Sequence, residues 1–130
     1  MIARLLRQAC AVVAASLALT LCNVAQAQAT SNTEIEHLLK FVAASSCTFV
    51  RNGTEYPAGK ARDHLASKYQ FAGSRISTAD DFIKYLATES SMSGEKYHVK
   101  CAGVDKPSGL WLSEELKRYR KASASVHAAR

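Results

Sequence analysis

The side chains in this sequence best suited to chemistry are Arg51, Tyr56, His64 and Lys68, which fall within one short stretch. A guanidinium, a phenol, an imidazole and an ammonium brought together at a rim would bind a carboxylate or phosphate through charge-assisted hydrogen bonds. His64 and Lys68 are one helical turn apart, so a helix would present both on one side. The competing reading is structural: Arg51 anchors a hairpin to a helix C-terminus and His64 is a satisfied core histidine.

Other chemistries find less support. His37, His64, His98 and His127 lack the close spacing of a metal site, so no metal is expected, nor any cofactor. Ser90, Ser91 and Ser93 occur without a nucleophile elbow and read as a solvated stop leading to Gly94. Glu55 and Asp63 are conceivable as a glycosidase pair, but nothing in their spacing singles them out. Lys117, Arg118, Arg120 and Lys121 form a basic run matched to a helix C-terminus, with contact to an anionic envelope component as the alternative.

The elements that must position these groups follow from the pattern. Asn52-Gly53 between β-forming residues specifies a two-residue type I′ hairpin, because both central positions need positive φ. That turn pairs Arg51 with Thr54, Val50 with Glu55 and Phe49 with Tyr56. Alternation then places Cys47, Phe49, Arg51, Thr54 and Tyr56 on one face. Pro57 ends the second strand and suits a helix start, with the helix predicted over Ala58 to Tyr69. Asn52-Gly53-Thr54 also matches a glycosylation sequon, but the turn explains it better.

A first helix is predicted from the capping-box spacing Thr33 to Glu36, with Ile35, Leu38, Leu39 and Val42 as its apolar stripe. A third is capped by Ser77 or Thr78 and buries Ala79, Phe82, Ile83 and Leu86. Tyr97 to Cys101 alternates as a third strand, Val104 to Gly109 reads as a loop, and a final helix starts at Ser108 or Ser113. The order predicts an α+β domain: about four helices packed on a small antiparallel sheet built around the hairpin. No internal repeat is legible.

Arg4 and Arg7, the apolar run Ala9 to Leu21 and the small-x-small Ala25-Gln26-Ala27 read as an export signal cleaved after Ala27. Cys22 follows a bulky Leu21, which argues against lipid attachment there. The expected organisation is a signal peptide over 1–27, a disordered lead-in over 28–32, one domain over 33–121 and a flexible tail over 122–130. Cleavage leaves about 100 residues, an ordinary size for one domain. It also removes Cys10 and Cys22, so Cys47 and Cys101 remain and are expected to pair. The whole chain carries a net charge of +6, reduced to a mild excess when the leader leaves. This permits an anionic envelope partner, and the absence of a recognition motif argues against nucleic acid.

Several motifs recur in one order: Cys47-Thr-Phe-x-Arg-Asn-Gly-x-x-Tyr56, Ala61-x-x-His-Leu-x-x-Lys-Tyr69, Ile76-x-Thr-Ala79, Phe82-Ile83 and Ser90-x-x-Ser-Gly-x-x-Tyr97. Together with Pro107-Ser108 and Trp111-Leu112, they resemble the YfeK-like family of small exported bacterial proteins, a domain of unknown function. The resemblance spans most of the mature chain. It implies a periplasmic or secreted single domain and carries over no activity or catalytic residue. The function expected is a non-enzymatic binding or interaction module of the cell envelope, whose partner is an envelope protein or an anionic envelope component. A small envelope hydrolase is the alternative.

Overall fold

The computed structural model describes residues 26–130. The chain divides into two units, Met1–Thr30 and Ser31–Arg130, of which the second is compact. The stretch read as an export signal lies, up to residue 25, outside the described residues. Helical backbone covers residues 26–44. Residues 28–32 are therefore helical where the sequence predicts a disordered lead-in, and Thr33 lies inside a helix rather than capping its start. Here α1 denotes the part of this helix within the second unit, residues 31–44.

After α1 come β1 (Thr48–Arg51), β2 (Thr54–Pro57), α2 (Ala58–Ala72), a short 3-10 turn (Gly73–Arg75), α3 (Ala79–Leu86), β3 (His98–Cys101), β4 (Val104–Pro107) and α4 (Ser108–Ala128). The strands form one antiparallel sheet in the order β2-β1-β3-β4. Four helices and a four-stranded antiparallel sheet with a hairpin make this an α+β fold.

The first hairpin has the register its turn specifies: Phe49 opposite Tyr56, Val50 opposite Glu55 and Arg51 opposite Thr54. Asn52 and Gly53 have φ of 49° and 75°, as a type I′ turn needs. The predicted loop after Cys101 is instead a second hairpin, with β4 paired to β3. Its turn residues Ala102 and Gly103 have φ of 50° and 78°. An alanine there carries no turn signal, which is why this hairpin was not legible.

The two hairpins reveal an internal repeat that the sequence conceals. Each runs strand, positive-φ pair, strand, proline, helix, so Phe49 matches Val99, Gly53 matches Gly103, and Pro57 matches Pro107. Burial repeats along β2 and β4 as well. Where β1 meets β3, Thr48 faces Lys100, Phe49 faces Val99 and Val50 faces His98. Under the matching this register maps onto itself, so a local twofold axis passes between Phe49 and Val99. Each hairpin is also preceded by a helix, giving two α-β-β-α halves.

Phe49 and Val99 turn to the helix-covered face and join Ile35, Leu38, Leu39 and Val42 of α1, the Phe82 stripe of α3, and Leu112 and Leu116 of α4 in one core. Each such burial contributes about 2 kcal/mol. The opposite face is polar, with Lys100 Nζ 2.5 Å from Glu55 and His98 Nδ1 2.8 Å from Asp105. Cys47, just before β1, is bridged to Cys101 at the end of β3.

Helix ends follow local chemistry. Pro57 and Pro107 stand at the N-caps of α2 and α4. Thr78 caps α3 with a reciprocal box: its hydroxyl accepts from the Asp81 N–H while the Asp81 carboxylate accepts from the Thr78 N–H. The region predicted as a frayed tail is helical through Ala128.

Candidate functional site

Between the first hairpin and α2 lies a cleft of about 220 Å³, lined by β1, β2, α2 and the start of β3. Strand alternation aims Arg51 and Tyr56 at it from the sheet, while α2 supplies Lys60, Ala61, His64 and Leu65. Phe49, Ala87 and Tyr97 complete the inner wall. Among the described residues no carboxylate lines it. At this volume it takes a small molecule or the end of a larger one, since pockets for drug-sized ligands start at about 300 Å³.

Arg51 organises the polar side. Its Nη1 is 2.7 Å from His64 Nδ1 and 2.9 Å from His64 Nε2, and its Nη2 donates to Tyr56 Oη at 3.3 Å. The guanidinium also lies 4.9 Å from the centroid of the Tyr56 ring. A neutral imidazole has one acceptor nitrogen and an imidazolium has none, so this arrangement holds His64 neutral. Burial lowers the His64 pKa, and the positive charges of Arg51 and Lys68 lower it further. Among the described residues no salt bridge reaches Arg51 or Lys60.

Lys68 has a different occupation. Its ammonium donates to the carbonyls of Leu86 at 2.7 Å and Glu89 at 3.4 Å, and to Tyr97 Oη at 3.3 Å. It thereby satisfies carbonyls left open at the end of α3. Burial first, then the Arg51 charge, lowers its pKa. Lys68 also lies over the Tyr97 ring, 5.1 Å from its centroid. Burial raises the Tyr97 pKa. Of the four sequence-predicted residues, the structure brings Arg51, Tyr56 and His64 to one cleft. Lys68 stands behind them and holds α3.

Sequence reasoning missed Lys60 and Tyr97 at this cleft. Tyr97 carries a legible signal, since it alternates in phase with Val99 and Cys101. Lys60 has none beyond its place in the first turn of α2.

Two histidine–carboxylate pairs also escaped the sequence reading. His98 pairs with Asp105 on the open sheet face, and His37 Nε2 is 2.6 Å from Glu115, whose other oxygen accepts from Arg118 Nε at 2.8 Å. His37 stacks on Tyr119 at 3.9 Å between centroids. This second cluster ties α1 to α4.

Two of the four residues in the basic run, Arg118 and Arg120, are paired within the domain. Besides Arg118, Arg120 makes a bidentate pair with the buried Glu34 at 2.8 and 2.9 Å and reaches Asp80 at 2.7 Å. Ser90 is buried, whereas Ser91 and Ser93 are exposed. Among the described residues, no group of three His, Cys, Asp or Glu side chains could hold a metal ion. No helix there is long and apolar enough to cross a membrane.

The molecule is thus a small α+β domain of two matched halves, with a cation-lined cleft beside the first hairpin. The chain belongs to the family of unknown function DUF5329, matched over residues 29–120. It is 40% identical over 89 residues to YfeK, an uncharacterized protein of Salmonella typhimurium, an alignment covering 68% of this chain and 72% of that protein. No solved structure matches the chain.

Proposed function

We propose that this protein is a non-enzymatic binding module of the cell envelope, exported by its N-terminal signal, and that it takes an anionic group at the Arg51 cleft. The observation that carries this reading is the half-buried Arg51 guanidinium, which among the described residues has a histidine and a phenol as its partners and no carboxylate. A cation withdrawn from water without a counter-charge gains by accepting an anion. His64 supports binding over catalysis. Among the described residues its hydrogen-bond partner is Arg51, so its acceptor nitrogen is engaged by a cation rather than by a hydroxyl or thiol to be activated.

The test is a titration of the purified protein with acetate and with inorganic phosphate, followed by NMR of the Arg51 and His64 side chains. Saturable shifts are expected in the wild type and their loss in Arg51→Gln, which removes the charge and leaves a shorter polar side chain. Shifts of equal size and midpoint in Arg51→Gln would refute the site.

A further inference from the structure

We infer that the occupant of the cleft is an aromatic carboxylate, its flat apolar ring seated on Phe49, Ala61 and Leu65 and its acid group turned to Arg51. This deepens the proposed binding function and rests on it. What carries it is the matching of the two halves. The local twofold axis sets Arg51 against Cys101, Tyr97 against Cys47 and Ala61 against Trp111. The positions held by Arg51 and Tyr97 at the cleft are, in the other half, the two cysteines joined by the disulfide.

The same matching singles out one small residue at the cleft. Where the first half has Ala61 lining the cleft, the second has Trp111, whose ring packs 4.5 Å from Phe41 and edge-on to Phe49 at 5.6 Å. The second half thus places a large aromatic ring at the equivalent position, packed against Phe41 of α1 and Phe49 of β1. The first half keeps an alanine there, and about 220 Å³ remains.

The size and lining of that space fit a ring with an acid group. A cavity of about 150 Å³ lined by apolar side chains already takes benzene, so room is left for a carboxylate at the Arg51 side. Phe49, Ala61, Leu65 and Ala87 provide apolar wall that a bare anion would leave unused. Tyr56 and Tyr97 add ring edges and faces for aromatic packing. Arg51 and Lys60, both without acidic partners among the described residues, supply the charge.

The experiment compares three probes, acetate, indole and indole-3-acetate, by NMR titration of the purified protein. Indole-3-acetate is expected to bind at least tenfold more tightly than either fragment, with contacts between its ring protons and Leu65 and Phe49. Ala61→Trp, which installs the residue of the other half, is expected to reduce indole-3-acetate binding to the level of acetate while Arg51 remains available. Ala61→Leu serves the same purpose if the tryptophan disturbs folding.

Each other result overturns something definite. Equal binding of acetate and indole-3-acetate would refute the ring while leaving the anion site intact. Indole binding as tightly as its acid would refute the role of Arg51. No binding of any probe would remove both readings. Ring contacts mapped to a surface outside the cleft would refute the inference even with the affinity order as expected.

Discussion

Arg51 Nη1 lies within hydrogen-bond reach of both ring nitrogens of His64, at 2.7 and 2.9 Å. One of them must accept, so the contact survives only while His64 is neutral. Protonation would set two cations against each other in a half-buried site. The cleft therefore has a pH response built into a single contact.

Burial and the neighbouring charges hold the folded His64 pKa below the value of 6.5 that the unfolded chain would show. Between those two values the unfolded chain binds the proton and the folded chain does not, so stability rises with pH across that window. The His64 contribution is fully present above about pH 6.5 and is lost as pH falls through the folded value. Urea midpoints measured from pH 7.5 downward are expected to fall more steeply for wild type than for His64→Asn. The proposed anion reverses the balance at the ring: bound carboxylate is expected to raise the His64 pKa and to bind more tightly as pH falls, which the His64 ring-proton shifts would report.

The Cys47–Cys101 bridge closes a separation of 54 residues. Reducing it, or replacing both cysteines by serine, is expected to cost about 4 kcal/mol by release of the unfolded chain. The check is the urea unfolding free energy with and without reductant. The bridge lies at the end of β1 away from Arg51 and at the end of β3 away from Ser108, so NMR shifts at Arg51 and Ser108 should change little in a reduced protein that stays folded.

Gly59 and Gly109 occupy equivalent positions in the first turns of α2 and α4, yet their surroundings differ. A Cβ at Gly59 would meet nothing within 4 Å, whereas one at Gly109 would lie 2.6 Å from Thr88 Oγ1. Thr88 cannot move freely, because its hydroxyl donates to the Ile83 carbonyl at 2.8 Å. Gly59→Ala is expected to stabilise by about 0.5–1 kcal/mol through helix propensity. Gly109→Ala is expected to destabilise by about 1–3 kcal/mol through overpacking. Thermal melts of the two variants should move in opposite directions.

Ala102 takes the left-handed conformation at φ 50°, where the first hairpin has Asn52 at φ 49°. That conformation costs an ordinary L-residue about 1–2 kcal/mol, while asparagine accommodates it by local hydrogen bonding. Ala102→Asn is expected to stabilise the protein by up to about 1 kcal/mol. Chemical denaturation would measure the change, and an unchanged or lowered midpoint would argue against strain at this turn.

Much of the first half could be read from residues because its demands are local. Asn52-Gly53 specifies a turn by its φ requirement, the turn specifies the register, and alternation brings Arg51 and Tyr56 to one face with Phe49. Helical spacing likewise identified the Ala79, Phe82, Ile83 and Leu86 stripe. The Cys47–Cys101 pairing followed from counting the cysteines that the expected signal cleavage would leave.

Tertiary structure decided what depends on distant neighbours. The second hairpin was hidden because Ala102 is an ordinary residue held at an uncommon φ, and β4 is an exposed polar edge strand. The repeat was hidden because the halves share a fold with few identical residues beyond Gly53 and Gly103, Pro57 and Pro107, and Gly59 and Gly109. Lys68 was assigned to the rim by its helical spacing from His64, but the open carbonyls of Leu86 and Glu89 draw its ammonium away. Local backbone requirements are written in residue type at the position itself. Whether Ala61 borders a cleft or a filled core is set by chain that packs against it from elsewhere.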